Sequence, residues 1–331
     1  MYATISPIAQ LPSLKEECPL THLQEYLQRP TDPANWWPAP NTQILGGRDL
    51  HRAEHGTWLG VTRQGRLACL TNFKEEEEFI TGKRSRGAVV NSYLKMDPES
   101  TESSRSVANG LIQEGLNGIG GFSLLFGHLK RPSWKDNGLA TGSWDGLAIV
   151  SNRSKNVEDV RWLCTRPGET HALSNTHYGD KSWPKVVAGE AMANDAIAES
   201  AKRGENKDLL LQRLLAILDH DTLPLRKVDE GWVTYTSQMK TSIFVPAIGD
   251  KKQSERLLNG SPLAGCSADI KANVDPATSG VYGTQKQSIL LVDWEGKVDY
   301  FERTLFNQEA KPIPKGTADL HHEFVVEGWN D

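Results

Sequence analysis

The order of strands and helices along the chain is the feature that most limits its fold. The first clear element is a hairpin, TWLGVTRQGRLACLTNF at residues 57–73, in which two short apolar runs flank Gly65. A glycine supplies the positive φ that a tight turn requires. A second hairpin, SILLVDWEGKVDYFER at residues 288–303, turns at Trp294-Glu295-Gly296. Strand-forming sequence therefore lies at both ends of the chain.

Helical and strand patterns alternate between these hairpins. SRGAVVNSYL and SVANGLIQEGL have apolar residues at three-to-four spacing, and residues 186–220 predict an antiparallel pair of amphipathic helices broken near Gly204. Short apolar runs bounded by Gly, Asn or Pro predict further strands: GFSLLFGHL, GLAIVSN, VRWLCT, THALSN and TSIFVPAI. Strands, then helices, then strands predict an α+β fold with an antiparallel core layered by helices.

Three segments do not have a regular pattern. RPTDPANWWPAPN, at residues 29–41, has four prolines, which exclude a regular helix or a central strand, so a surface wrap is expected. The charge run KEEEEF predicts a solvated loop. The polar stretch 251–283 is long for a loop in a compact domain and is expected to be mobile or inserted.

Composition excludes several classes of protein. With 24% charged and 38% hydrophobic residues in 331, an ordinary soluble globular protein is expected. A net charge of -5 argues against a nucleic-acid partner. The chain lacks both the apolar run of about 18 residues that spans a bilayer and a secretory signal, so a cytoplasmic location is expected. Four widely spaced cysteines without a CxxC pair indicate neither zinc nor a disulfide scaffold.

Several strings resemble one family over nearly the whole chain. GGRDL, the first hairpin, RSRGAVVNSYL, HALSN with the later WPK, and YGTQKQSILLVDWEGKV spaced to ERT are similar to the NRDE family, also called the Transport and Golgi organisation 2 family, and most to its fungal members. The resemblance implies an N-terminal-nucleophile-hydrolase-like fold, a four-layer αββα sandwich of two antiparallel sheets between helices. One domain is expected over residues 25–331.

The N-terminus departs from the pattern of this family. The family begins Met-Cys, continues as an apolar strand and then reads Asn-Arg-Asp-Glu, followed shortly by Arg-Pro. This chain has Tyr2 at the second position and HLQEYLQRP at residues 22–30, so only Glu25, Arg29 and Pro30 match. Residues 1–24 are therefore expected to be an irregular segment that replaces the first strand of the family.

The departure removes residues on which catalysis in such hydrolases depends. There, a terminal Cys is activated by its own α-amino group, while Arg, Asp and Asn position substrate and oxyanion. Leu23 and Gln24 stand at the Arg and Asp positions, and no catalytic residue is predicted. The Asn positions are retained as Asn72 and Asn175, which the resemblance implies at the mouth of the cleft. Alternatively, each Asn caps its own turn.

A second group of candidates comprises charged side chains. Arg84 and Arg86 precede a predicted helix and could meet a phosphate or carboxylate at its N-terminus, or pair with the KEEEEF run. No metal site is predicted, because the neighbours His321 and His322 point to opposite faces of a strand. The candidate ligand-binding residues are Asn72, Asn175, Glu25, Arg29, Arg84 and Arg86.

Two functions from different classes follow from the resemblance. The leading one is an intracellular, non-catalytic protein that binds a small-molecule or lipid-like ligand, with implied roles in Golgi organisation, protein secretion, lipid homeostasis and haem mobilisation. No resident cofactor is predicted; haem would be a transported ligand, with His22, His171 and His177 available as axial ligands. The alternative is an amidase-like hydrolase of a linear C-N bond, which requires a restored Met-Cys start. Association with the Golgi or mitochondria is also implied.

Overall fold

The computed structural model describes residues 2–7, 17–73, 85–116, 119–130, 133–134, 140–141, 146–165, 168–227, 229–249 and 280–329. The strands, numbered in chain order, are β1 Tyr2–Pro7, β2 Glu17–Tyr26, β3 Thr31–Trp36, β4 Ile44–Asp49, β5 Leu59–Thr62, β6 Arg66–Asn72, β7 Phe122–His128, β8 Ser133–Trp134, β9 Ala140–Thr141, β10 Leu147–Ser151, β11 Arg161–Leu163, β12 His171–Leu173, β13 Tyr282–Val292, β14 Lys297–Thr304 and β15 Asp319–Val325. The helices are α1 Arg86–Leu94, α2 Ser104–Glu114, α3 Pro184–Arg203, α4 Lys207–Leu218 and α5 Trp232–Ser237.

Most strands belong to two antiparallel sheets. Sheet A has the order β12-β1-β2-β13-β14-β15, and sheet B has the order β11-β10-β7-β6-β5-β4-β3. The short strands β8 and β9 pair only with each other. Both predicted hairpins are present, as β5–β6 and β13–β14, and Gly65 and Gly296 have φ of 87° and 77° at their turns.

Three clusters of buried side chains show that the sheets and helices are stacked in four layers. One cluster fills the space between the sheets, with Leu67 and Cys69 of sheet B against Leu290 and Tyr300 of sheet A. A second lies between sheet B and helices α1 and α2, and the third between sheet A and helices α3 and α4. The fold is therefore the αββα sandwich that the family resemblance implied.

The N-terminal segment corrects the expectation of irregular structure. Tyr2–Pro7 and Glu17–Tyr26 are strands, and β1 lies inside sheet A between β12 and β2, with Tyr2 opposite His22. The prediction for residues 1–24 is wrong for these two stretches, while residues 8–16 lie outside the described residues. Tyr, Thr and Ile in YATISP are good strand formers, so the segment can complete the sheet without the apolar sequence typical of the family.

Two other expectations about local structure also need correction. The proline-rich stretch is not a wrap: Thr31–Trp36 forms the edge strand of sheet B, where a register shift between Asp32 and Asn35 accommodates Pro33. TSIFVPAI is not a strand, since only Ile248 forms an isolated bridge, to Tyr282. The KEEEEF run and residues 251–279 of the long loop lie outside the described residues.

TSIFVPAI instead packs as irregular buried chain. Ile243 and Val245 are fully buried, and the amide of Val245 donates to Oγ1 of Thr284 at 2.9 Å. The Thr284 side chain thus accepts the hydrogen bond that the Val245 amide would donate to a neighbouring strand if this segment were part of a sheet. Among the described helices, none combines the length and apolar character needed to cross a membrane.

Candidate functional site

Asn72 and Asn175, both predicted as ligand-binding residues, meet where the two sheets approach each other. Asn72 ends β6 in sheet B, and Asn175 follows β12 of sheet A. Nδ2 of Asn175 donates to the backbone oxygen of Asn72 at 2.7 Å. The amide of Asn175 therefore links one sheet to the other, a structural role that turn capping alone does not describe.

Polar atoms without a partner lie close to this link. Oδ1 of Asn72 and the hydroxyls of Thr71 and Ser123 are buried and make no hydrogen bond within the part of the chain that the structure describes. Thr71 and Ser123 are direct partners across β6 and β7, so the three groups share one end of sheet B. The first strand, β1, contacts β6. This end of the sandwich is therefore polar as well as buried.

The charged candidates form a second group next to that end. Arg29 donates from Nε and Nη2 to the two carboxylate oxygens of Asp49, at 3.1 and 2.7 Å, and lies 3.9 Å from Glu25. Nη1 of Arg86 is 3.5 Å from the backbone oxygen of Gly121, the same oxygen that accepts from the amide of Phe73, next to Asn72. Arg84 lies outside the described residues.

Burial perturbs the charged members of this group. Burial raises the pKa of the Glu25 carboxyl, although Arg29 opposes that change. Burial also lowers the pKa of the Arg86 guanidinium, and Glu25 opposes the change. The effect of Glu25 on Arg86 places their charges within electrostatic reach of each other. The structure thus brings Glu25, Arg29, Asn72, Arg86 and Asn175 to one end of the sandwich.

A pocket opens between the sheets, separate from these five side chains. The space between its walls is about 360 Å³ when the part open to solvent is counted, and about 30 Å³ of it can be reached by the centre of a water molecule. One wall comes from β2, β13 and β14 of sheet A, and the other from the β3–β5 region of sheet B. The lining residues are Thr21, Leu23, Thr31, Asp32, Gly47, Arg48, Thr57, Trp58, Leu59, Lys286, Ser288, Tyr300 and Glu302.

A buried ion pair forms part of the pocket wall. Nζ of Lys286 lies 2.9 Å from Oε1 of Glu302, with 7% and 4% of the side chains exposed. The same Oε1 accepts from the amide of Ala34 at 2.9 Å, which ties the pair to sheet B. No described residue donates to Oε2 of Glu302. One carboxylate oxygen of the pair is therefore left with hydrogen-bonding capacity.

The rest of the lining combines polar and apolar side chains, and most of the surface exposed to the pocket is apolar. A second pair, Arg48 with Asp32, is partly exposed, with 24% and 36% of the side chains accessible. Tyr300 hydrogen-bonds to Ser288, and burial raises the pKa of its phenol well above the ordinary value. Leu23, at the position where the resemblance implies Arg, contributes an apolar side chain. The wall thus places two ion pairs in mainly apolar surroundings.

Sequence reasoning found the polar end of the sandwich but missed the pocket. None of the six predicted residues is among those that line it. Lys286 and Glu302 were not predicted because each is typical of the polar residues in a hairpin. The pattern that could have indicated them is the two-residue period of a strand. Four residues, Lys286, Ser288, Tyr300 and Glu302, lie at alternate positions on the same face of β13 and β14, where a core face should be apolar.

The described residues do not bring together three His, Cys, Asp or Glu side chains in a group that could hold a metal ion. Nδ1 of His171, named above as an available axial ligand, lies 3.0 Å from the hydroxyl of Tyr178, whereas Nε2 is buried 3.5 Å from Glu169 and makes no hydrogen bond with a described residue. Haem coordination at His171 would require this buried nitrogen to become accessible.

The layers define an α+β sandwich of two antiparallel sheets between helices. The model of the Transport and Golgi organisation 2 family matches residues 23–307. This chain belongs to that family.

Known proteins with similar sequence or structure cover most of the chain. It is 26% identical over 300 residues to the mouse (Mus musculus) Transport and Golgi organization 2 homolog, covering 89% of each chain. It is 27% identical over 287 residues to the human (Homo sapiens) homolog, covering 86% of this chain and 85% of the human one. A solved structure of the Caenorhabditis elegans N-acylethanolamine-hydrolyzing acid amidase ortholog has a TM-score of 0.39 and 12% identity, covering 69% of this chain and 88% of the other.

Proposed function

We propose that this protein binds a small polar molecule in the inter-sheet pocket and does not hydrolyse it. The observation that carries the proposal is the buried Lys286–Glu302 pair in the pocket wall. Removing two charges from water is costly, and apolar residues of similar volume are often as stable or more stable. A pair kept at a cavity, with a carboxylate oxygen still available, is better accounted for by ligand recognition than by stability.

The residues at the hydrolase motif positions support binding without turnover. Leu23 brings a side chain that can neither donate nor carry charge. Gln24 is used within the fold, since its Nε2 donates to the backbone oxygen of Ile243 at 2.9 Å. Neither can take the roles that the resemblance gives to Arg and Asp.

The pocket also favours one kind of ligand among those the family suggests. Its narrow space and two ion pairs suit a compact charged molecule better than haem or a long acyl chain. Roles in Golgi organisation, secretion, lipid homeostasis or haem mobilisation, and a cytoplasmic location, would on this proposal be consequences of handling such a small molecule.

Thermal unfolding in the presence of a library of small polar metabolites tests the proposal. A ligand at 100 times its Kd stabilises the folded state by about 2.7 kcal/mol, which gives a rise in Tm of several degrees. Leu23→Phe, which adds bulk inside the pocket, should abolish that rise. Leu209→Phe is the matched control, because Leu209 is exposed on α4. The proposal is wrong if no library member shifts the wild type, or if Leu23→Phe responds equally.

A second function, amide hydrolysis, is favoured by one specific observation. The described end of sheet B beside β1 holds Asn72 and two hydroxyls with unused hydrogen-bonding capacity. We therefore infer that a nucleophile placed at the start of β1 would meet polar groups suited to an acyl transition state. The triple variant Tyr2→Cys, Leu23→Arg, Gln24→Asp restores the family pattern at those positions.

The test compares release of a chromogenic amine from simple N-acyl substrates by this variant and by the wild type. The matched control for nucleophilicity is Tyr2→Ser combined with the same two substitutions, Leu23→Arg and Gln24→Asp. Turnover by the Cys variant alone supports a dormant hydrolase site. Equal background rates in all three proteins rule it out.

A further inference from the structure

We propose that the ligand of the inter-sheet pocket is a zwitterion of the α-amino-acid type, with its ammonium on Glu302 and its carboxylate on Lys286 and Arg48. The inference rests on the proposed function and adds the chemical class of the ligand. Four observations support it: the charge balance of the pocket, the open carboxylate oxygen, the unused donors and the spacing of the charges.

The charges of the side chains that line the pocket sum to zero. Lys286 and Arg48 contribute two positive charges, and Glu302 and Asp32 contribute two negative ones. Burying a net charge next to this neutral lining would be costly unless the charge were compensated. A ligand of zero net charge avoids that cost. A ligand with one positive and one negative group can also interact favourably with both the cation and the anion of each ion pair.

Glu302 offers the acceptor for a cation. Its Oε1 is occupied by Lys286 and by the amide of Ala34, whereas Oε2 receives no hydrogen bond from a described residue. Gly47, another lining residue, lies beside that oxygen: a methyl group placed there would lie 3.6 Å from Oε2 and 3.1 Å from the backbone oxygen of Asp32. An ammonium has the three donors and the compact size that suit this acceptor.

Lys286 and Arg48 offer donors for an anion. Nζ of Lys286 makes one short bond, to Glu302, and one at 3.5 Å, to the backbone oxygen of Asp32, so its three protons are not all well satisfied. Arg48 has one described partner, Asp32, and its planar fork can also bind a carboxylate. Both cations line the same pocket.

The spacing of the charges fits a small zwitterion. Lys286 and Glu302 approach to 2.9 Å, so an incoming pair of opposite charges must also be close together. The ammonium and carboxylate of an α-amino acid are attached to one carbon and meet that requirement.

Isothermal titration separates this inference from the proposed function. The probes are glycine, L-serine and L-leucine, each also as its N-acetyl derivative and its methyl ester. We expect at least one free amino acid to bind, and both of its derivatives to bind at least tenfold more weakly, since each loses a charge-assisted contact. Equal binding of a derivative overturns the zwitterion while leaving a small-ligand pocket. Failure of all nine probes also overturns it, and a hit elsewhere in the metabolite library would still support the pocket.

Two variants locate the binding. Glu302→Gln should weaken the binding of the tightest-binding amino acid at least tenfold. Because that change leaves Lys286 buried without its partner, Gly47→Ala is the second variant: its methyl group lies 3.6 Å from Oε2 and 3.1 Å from the backbone oxygen of Asp32, and it changes no charge. Asp319→Asn, which breaks the ion pair with Arg303 away from the pocket, is the control and should leave the affinity unchanged. Unchanged affinity in a folded Gly47→Ala protein overturns the inference.

Discussion

Lys286 and Glu302 form a diagonal cross-strand ion pair across β13 and β14. Glu302 is opposite Ser288 and Lys286 is opposite Thr304, so each charge is two residues from the direct partner of the other. Diagonal neighbours in a sheet are within reach of long side chains. The bond of Glu302 to the amide of Ala34 extends the contact to β3 in sheet B. The pair therefore connects both sheets.

Removing one member of this pair should destabilise the fold strongly. We expect Lys286→Met to lower the free energy of unfolding by about 3–5 kcal/mol, because Glu302 is left as an uncompensated buried charge. The double variant Lys286→Met, Glu302→Leu should recover much of that loss, since no charge remains buried. Urea unfolding of the two single variants and the double variant gives the coupling between the residues.

An exposed ion pair provides the comparison. Arg203 and Glu199 are neighbours at i,i+4 on α3, with 60% and 36% of the side chains exposed. Arg203→Met should change the stability by less than about 1 kcal/mol. A loss of that small size for Lys286→Met would show that water reaches the inter-sheet pair.

Much of the layer structure could be predicted from sequence because it depends on local patterns. Alternating apolar residues and a turn glycine predict both hairpins, and three-to-four spacing predicts the helices that cover the sheets. The position of the helical pair between two strand groups then leads to a layered α+β fold. The family resemblance adds the choice of the αββα arrangement.

The errors have two physical causes. The N-terminal strand was missed because YATISP is short, and strand pairing with β2 and β12 depends on distant chain. The pocket was missed because Lys286 and Glu302 form part of its wall only when β13 and β14 pack against sheet B, and no local sequence pattern shows that packing. In contrast, Asn72 and Asn175 were found by resemblance, although their link between the sheets needed coordinates.

The hydrogen bond between Asn175 and Asn72 should contribute modestly to stability. Asn175→Ala removes the donor to the backbone oxygen of Asn72, and we expect a loss of about 1 kcal/mol in urea unfolding. Asn35→Ala is the control, since Asn35 is exposed and bonds only to the amide next to it. No difference between the two variants would mean that water replaces the link between the sheets.

The turn of the second hairpin should be intolerant of a side chain. Gly296 has φ of 77°, and a Cβ there would lie 2.3 Å from Cγ of Trp329. We expect Gly296→Ala to lower stability by more than about 2 kcal/mol, because backbone strain adds to the displacement of the indole. Tryptophan fluorescence during denaturant unfolding measures both effects.

Gly204 separates the strain from the clash. It ends α3 with φ of 61°, and nothing lies within 4 Å of its added Cβ. Gly204→Ala should therefore lower stability by only about 1–2 kcal/mol, the cost of the left-handed backbone alone. If Gly296→Ala and Gly204→Ala lower the free energy of unfolding equally, the contact with Trp329 does not require glycine at position 296.

Lys185 should make stability depend on pH above neutrality. Its side chain, in the first turn of α3, is 1% exposed, and burial lowers its pKa from 10.5 to about 7. Between these values the unfolded chain binds a proton that the folded chain does not, so stability falls as the pH is lowered from about 10.5 to 7 and levels off below. At about 1.4 kcal/mol per pKa unit, the shift from 10.5 to about 7 corresponds to a change on the order of 5 kcal/mol.

Replacing Lys185 should remove this dependence. Lys185→Met keeps the volume without the ammonium, and we expect it to be several kcal/mol more stable than the wild type at pH 7, with the difference shrinking towards pH 10. Lys202→Met is the control, because Lys202 is exposed near the end of the same helix. Urea unfolding of the three proteins at pH 7, 8.5 and 10 provides the measurement. A constant difference across that range would show that Lys185 keeps its charge, which requires water or an anion to reach the amine beneath α3.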